Sequence, residues 1–228
     1  MIRAVGFDLD NTLFNHTKAA GLGVSSLLAE KNWVLPVGTD VTHQWNVFER
    51  QYFDQYLLGN YTLQEHRRAR MRSFIGLVGI SASESELNDL WDEYLVHYSN
   101  SWIAYDDVHS TLKELQGLGI KMGVITNGQQ SQQESKLAKL KVSGYFEHVL
   151  AIGTMTKPKP HPDPFLQLTS LFDCQPHEIL YVGDDLDVDY HASRSAGLQG
   201  VWLNRDGFVT QIPIDFQIKS LSSLPSLI

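Results

Sequence analysis

The apolar run Val5-Gly6-Phe7 ends on Asp8-Leu9-Asp10 and turns through Asn11-Thr12. In a strand, residues two apart point the same way, so Asp8 and Asp10 would share one side of its end. Two carboxylates held that close repel unless a cation sits between or beside them. A divalent ion such as Mg²⁺ meets that need, because it takes carboxylate oxygens and keeps several waters. A carboxylate beside Mg²⁺ at the mouth of a sheet is also well placed to attack a phosphate. Alone, the motif reads equally well as an acidic turn after an edge strand.

Two later segments repeat the design of an apolar run that stops on polar chemistry. Met122-Gly123-Val124-Ile125 ends on Thr126-Asn127-Gly128, and Ile179-Leu180-Tyr181-Val182 ends on Gly183-Asp184-Asp185. Between them lies a proline-stiffened loop, Lys157-Pro158-Lys159-Pro160-His161-Pro162, carrying two lysines. Open α/β sheets bind ligands at the carboxyl ends of their strands, so these groups are expected to converge on one crevice. A hydroxyl, an ammonium and a carboxylate cluster around a metal suit a phosphoryl group, whose charge spreads during transfer.

Taken in order, Asp8-Leu9-Asp10-Asn11-Thr12, Ile125-Thr126-Asn127-Gly128, a Lys-Pro-x-Pro segment leading to Phe165, and Gly183-Asp184 followed by Asp189 resemble the haloacid dehalogenase superfamily of phosphatases. The resemblance spans nearly the whole chain. True dehalogenases of that superfamily lack the second aspartate, so Asp10 favours phosphoryl chemistry. The resemblance implies Asp8 as nucleophile, forming an aspartyl-phosphate, and Asp10 as the acid and base for leaving group and water. It implies Mg²⁺ between an Asp8 carboxylate oxygen, the main-chain carbonyl of Asp10, and Asp184. Thr126, Asn127 and Lys159 would bind the phosphoryl group, Thr126 and Lys159 also serving catalysis. Asp185 and Asp189 would orient metal waters and the lysine. Both Lys157 and Lys159 fit Lys-Pro-x-Pro, but only Lys159 places Phe165 where the family has an aromatic. His161 reads as a polar loop residue.

The helical insert and the Ile-Thr-Asn-Gly form are similar to a subgroup of small-metabolite phosphatases. It contains nucleotidases, N-acylneuraminate phosphatases and bacterial flavin-pathway (FMN) phosphatases, the last matched best by the late Gly-Asp-Asp-Leu and Gly-Val-Trp-Leu segments. The expected partner is therefore a small phosphorylated metabolite: FMN, a riboflavin-pathway phosphate or a nucleoside monophosphate. A phosphomutase of the same superfamily is the alternative, and a phosphoacceptor signalling module a more distant one.

Composition agrees with such a protein. The 228 residues are 43% hydrophobic, enough for a large core and against wholesale disorder. A formal net charge of −8 argues against nucleic acid or an anionic membrane as partner. The single cysteine, Cys174, excludes a disulfide framework within the chain and reads as filler in an apolar helix. With no secretory segment or membrane-length apolar run visible, the expectation is a cytoplasmic protein, monomer or homodimer.

The elements that must position these residues follow from periodicity. Residues 16–98 are helical throughout, with starts near Thr39-Asp40 and at capping boxes Thr62–Glu65 and Ser83–Glu86. Trp45, Phe74, Trp91, Tyr94 and Tyr98 form aromatic stripes of core character. This block reads as an α-helical cap inserted into a core of residues 1–15 and 99–228. Arg67, Arg68, Arg70 and Arg72, with Tyr56, could select an anionic substrate, although a charged helix face is usually solvated. Beyond the cap, a helix marked by Val108, Leu112, Leu115 and Leu118 and stopping at Gly117-Leu118-Gly119 precedes the strand Met122–Ile125. Another helix opens on a capping box, Ser131–Glu134, before a strand at Val149–Ile152. Helices at Pro162–Phe172 and His191–Ala196, a strand at Gly200–Leu203 and a helical turn at Ser220–Pro225 complete the alternation. The predicted class is α/β: a Rossmann-like core with a parallel sheet and helices on both faces.

Overall fold

The computed structural model describes residues 1–210 and 214–228. Among them, six strands form one sheet: β1 (Ala4–Phe7), β2 (Lys121–Gln129), β3 (His148–Ile152), β4 (Ile179–Gly183), β5 (Gln199–Leu203) and β6 (Gln217–Ile218). Their order is β3-β2-β1-β4-β5-β6, and every neighbouring pair is parallel. Strand β1 is central, with Val5 opposite Met122 on one side and Leu180 on the other. Every residue of β1 and β4 is buried. Because successive side chains point to opposite faces, both faces of the sheet are covered. The strand order reverses between β1 and β4, which makes their carboxyl ends the place for a ligand.

The chain divides into two compact units, residues 1–15 with 103–228, and residues 16–102. The second unit holds α1 (His16–Lys31), α2 (Val41–Leu57), α3 (Leu63–Gly76) and α4 (Glu84–Asn100). Its end falls later than residue 98 because α4 continues to Asn100. Helix α1 lacks a strong apolar stripe and packs through small residues instead. A Cβ on Gly23 would lie 2.9 Å from the Tyr98 backbone of α4, a distance real Cβ atoms do not reach. Both capping boxes form: the Thr62 and Ser83 hydroxyls accept from the amides of Glu65 and Glu86, whose carboxylates accept in return.

Between these helices the aromatic stripes meet. Trp45, fully buried, lies edge-on to Phe74 and donates through Nε1 to the Tyr94 hydroxyl at 3.0 Å. The cap arginines have local partners. Arg70 is buried against the Trp45 ring, 4.1 Å from its centroid, and donates to Glu49 at 2.9 Å. Arg68 donates to Glu84 and Asn88. Although burial opposes ionisation of Glu49, Arg70 and His16 hold its carboxyl far below the usual range.

His66 packs in the same layer, stacked on Tyr56 at 5.1 Å. Burial, aided by the charges of Arg67 and Arg70, pushes its imidazole down to about 4 from 6.5. The unfolded chain therefore binds a proton at a higher pH than the folded one. The contribution to stability is intact above 6.5, falls as the pH drops below it, and is fully lost below 4. Replacing His66 by Phe should remove up to about 3 kcal/mol of that dependence. Urea unfolding of both proteins between neutral pH and pH 4 measures it; parallel curves would show that His66 is not the titrating group.

In the first unit, α5 (Val108–Gly117) precedes β2, α6 (Gln130–Lys139) follows it, and α7 (Asp163–Phe172) precedes β4. Phe165, Leu168 and Phe172 of α7 share one buried cluster with Ala4, Ile125, Ile179 and Tyr181 of the sheet. Two strand glycines permit this approach: a Cβ on Gly6 or Gly123 would lie 2.8 or 2.9 Å from Leu168.

Several local expectations need correction. Strand β2 does not stop at Ile125 but continues to Gln129, with a register shift against β3 across Thr126–Gly128. Helix α6 then starts directly at Gln130 with no side-chain cap, so Ser131–Glu134 is not a capping box; Glu134 accepts from Gln130 instead. Cys174 lies outside α7, beyond Asp173 with its left-handed φ of 52°, and packs against the core cluster. The helix expected at His191–Ala196 is preceded by a π-helical turn over Leu186–His191. The two-residue β6 had no periodicity from which to be read. No described helix is long and apolar enough to cross a membrane.

Candidate active site

The carboxyl end of β1 delivers Asp8, whose amide donates to Val182 O at 2.9 Å and so continues the ladder to β4. The chain then turns at once. Asn11 takes a left-handed φ of 61°, and the Leu13 amide donates back to Leu9 O. Asparagine is among the few residues that adopt this conformation readily. The turn brings Thr12 toward β4, where its hydroxyl donates to Asp184 Oδ1 at 3.5 Å.

Asp184 follows β4 directly, its carbonyl fixed by Trp202 Nε1 at 2.8 Å. Asp189 comes back to the same place because the π-helical turn is nucleated by Asp185. That carboxylate accepts from the amides of Asp187 and Val188. Gly183 is required by this return, since a side chain there would collide with the Asp189 carboxylate. Carboxylate oxygens of Asp8, Asp184 and Asp189 lie within 4.8 Å of one another.

Lys159 enters this anionic cluster from the loop before α7. Its ammonium is 2.8 Å from Asp8 Oδ1, 2.6 Å from Asp189 Oδ1 and 3.0 Å from the Tyr181 hydroxyl. Its neighbour Lys157 is exposed, with Nζ beside His161 Nε2 at 3.3 Å. Asn127, expected near the phosphoryl oxygens, clasps the main chain of Lys159. Its Nδ2 donates to Lys159 O at 2.7 Å, and its Oδ1 accepts from Lys159 N at 2.8 Å. As placed, Asn127 fixes the lysine's loop.

Thr126 is buried and its hydroxyl accepts two hydrogen bonds, from Gln133 Nε2 at 2.6 Å and Gly128 N at 3.2 Å. The Asp10 side chain does not join the carboxylate cluster. Its Oδ1 receives Lys136 Nζ at 2.6 Å and its Oδ2 receives Gln133 Nε2 at 3.2 Å. Sequence reasoning missed Tyr181, Gln133 and Lys136. Tyr181 stood in an apolar strand, where its hydroxyl gave no separate signal. The spacing of Gln133, Lys136 and Leu137 puts all three on one helical face, and the apolar Leu137 marks that face as the inner one.

The electrostatics follow from crowding. Burial pushes the Asp8 carboxyl up to about 7; Lys159 opposes the rise, and the Asp189 and Asp10 carboxylates add to it. Asp184 is raised well above the usual carboxylate range by burial and by Asp8, Asp189 and Asp185. Burial alone would lower Lys159, but Asp189 and Asp8 outweigh it and keep the ammonium charged. One ammonium therefore does not neutralise the cluster. A hard divalent cation fits this all-oxygen donor set and would hold Asp8 and Asp184 ionised.

The sequence matches the profile described as haloacid dehalogenase-like hydrolase over residues 5–203. It is 29% identical to glyceraldehyde 3-phosphate phosphatase of Pyrococcus abyssi over 89% of this chain and 81% of that one. It is 27% identical to human N-acylneuraminate-9-phosphatase over 100% of this chain and 94% of the other. In fold it is similar to YfnB of Bacillus subtilis, solved bound to magnesium, with a TM-score of 0.82 at 21% identity over 99% and 98% of the two chains.

Proposed function

This chain belongs to the haloacid dehalogenase-like hydrolase family, and we propose that it hydrolyses a small-metabolite phosphomonoester through an aspartyl-phosphate on Asp8. The observation that carries this reading is the meeting of the Asp8, Asp184 and Asp189 carboxylates with the buried Lys159 ammonium at the ends of β1 and β4. A general acid beside the nucleophile completes the set, and Asp10 stands two residues away.

The roles follow. Asp8 attacks phosphorus, the bond to the leaving alkoxide breaks, and Asp10 gives that oxygen a proton. Asp10, then ionised, takes a proton from the water that cleaves the aspartyl-phosphate, releasing inorganic phosphate and restoring Asp8. Lys159, fixed by Asp189 and Tyr181, holds positive charge against the phosphoryl oxygens throughout. The two bonds accepted by the Thr126 hydroxyl occupy its lone pairs, so its own hydrogen is free to be donated to the phosphoryl group. Asp8, Asp184 and the main-chain carbonyl of Asp10 would hold Mg²⁺, which supplies further neutralisation of phosphate charge when bound.

The relatives support a phosphatase and differ in the substrates that name them, so the substrate here is stated as a class. FMN, a riboflavin-pathway phosphate and nucleoside monophosphates stand beside sugar phosphates as its candidates. Release of inorganic phosphate from a panel of these esters in Mg²⁺ tests the reading. At least one ester should be turned over, with activity lost in EDTA and restored by Mg²⁺. Asp184→Ala should demand more Mg²⁺ for the same recovery. Hydrolysis undiminished by exhaustive chelation would exclude the metal assignment, and a strict requirement for a bisphosphate activator would point to a mutase.

A further inference from the structure

Helix α6 carries two polar side chains where a core helix normally carries apolar ones. Gln133 is 0% and Lys136 2% exposed, although the helix reads Gln-Ser-Gln-Gln-Glu-Ser-Lys-Leu-Ala-Lys. Burying an ammonium is costly unless it is paired, and burying an amide is costly unless it is hydrogen-bonded. Both converge on Asp10. Lys136 Nζ meets Oδ1 at 2.6 Å, lies 5.0 Å from the Phe14 ring centroid, and so approaches over an apolar wall. Gln133 Nε2 reaches Oδ2 at 3.2 Å and the Thr126 hydroxyl at 2.6 Å, tying the turn after β1 to β2. The space for that amide is kept by Gly128, where any side chain would collide with it.

We propose that Lys136 and Gln133 are positioning residues. They hold both oxygens of the Asp10 carboxyl group in one rotamer, apart from the metal-binding carboxylates and linked through Gln133 to the Thr126 hydroxyl. An aspartate left to itself beside Asp8 and Asp184 would be drawn into the same metal cluster, where it could not serve the leaving group. The ammonium of Lys136 makes a competing, charge-assisted anchor for the carboxylate at Oδ1, and Oδ2 can still accept from Gln133 Nε2 when that oxygen carries the proton. This inference rests on the phosphomonoester reading and adds to it the groups that place the acid.

The dependence on leaving group tests it. Steady-state rates of wild type and Lys136→Met are compared on an alkyl phosphate from the panel and on p-nitrophenyl phosphate, with circular dichroism to confirm folding. Nitrophenolate departs without a proton, whereas an alkoxide needs one. For Lys136→Met, kcat/KM should fall by about 10²-fold on the alkyl ester and by no more than about threefold on the aryl ester. Lys136→Arg, which keeps the cation, should recover most of the alkyl rate. Gln133→Leu should lower both esters, because it also releases Thr126. Should Lys136→Met not fold, Lys136→Gln carries the same comparison. An equal loss on both esters, or no loss on either, overturns the positioning role alone. A wild type inactive on both esters overturns the phosphomonoester reading itself.

Discussion

Asp8→Asn should lose turnover of every phosphomonoester, by roughly 10⁴-fold or more in kcat, the scale seen when a nucleophile is removed. The amide keeps the carboxylate's shape but cannot attack phosphorus, and it withdraws one charge from the metal site. The same substitution should not harm the fold. Lys159 keeps Asp189 at 2.6 Å and Tyr181 at 3.0 Å, and a crowded anion has been removed. The sign can be checked against pH in metal-free buffer. Asp8 is raised from 3.8 to about 7 in the folded protein, so the folded state binds the proton more tightly. Any stability this gives is present below 3.8 and lost as pH rises through 7. The melting temperature of Asp8→Asn should therefore gain on wild type from about pH 4 to about pH 7, the interval those values define. Wild-type-like turnover in this variant would exclude the covalent route. A melting temperature that fell further behind wild type over that interval would show that the carboxylate is held, not crowded.

Lys159→Met is the second large effect, and it should appear in stability and in rate together. Removing one partner of a buried ion pair leaves the other uncompensated, at a cost of about 3–5 kcal/mol. Here Asp8 and Asp189 would both be left facing an apolar side chain. With the ammonium proposed to address the phosphoryl group common to all substrates, kcat/KM should drop by roughly 10²–10³-fold across the whole panel, the scale of losing one donor to developing charge. Lys157→Ala is the matched control. Its side chain is exposed, so urea unfolding and rates should stay near wild type. A loss confined to one substrate would place Lys159 in recognition of the leaving group, contrary to the role assigned here.

The residues that announced themselves in the sequence were those at strand ends, where an apolar run stops on a charge. Asp8, Thr126 and Asp184 were legible because a buried parallel strand allows few polar residues and the first one after it stands out. Lys159 was legible through its prolines, which single out a stiff loop. What stayed hidden was polarity inside the core. Gln133 and Lys136 sit in a helix whose residues are nearly all polar, so composition gave no inner face and only Leu137 marked one. Tyr181 had the opposite disguise, a hydroxyl within an apolar strand, donating to Ile125 O at 3.1 Å. Asn127 was visible but its partner was not, because a side chain that clasps a main chain 32 positions away leaves no local pattern. The course of β2 through Thr126 to Gln129 was similarly unreadable, since its register shift depends on the neighbouring strand.

The position of β1 in the sheet has a consequence for how the molecule assembles. This strand is near the start of the chain yet needs Met122 and Leu180 opposite Val5 to complete its hydrogen bonds. The helical unit of residues 16–102 intervenes before the first of these partners, and its consecutive helices, α1 with α2 and α2 with α3, contact one another over much shorter separations. Closing long loops precedes the reward of the contacts they bring, so pairings of high contact order form slowly. Of the six described strands, Ala4–Phe7 is synthesised before the others and waits longest for its partners, an unpaired apolar strand of the kind that aggregates. The strand that presents Asp8 is thus secured on its second edge only when β4 docks, and the site can exist only from that point.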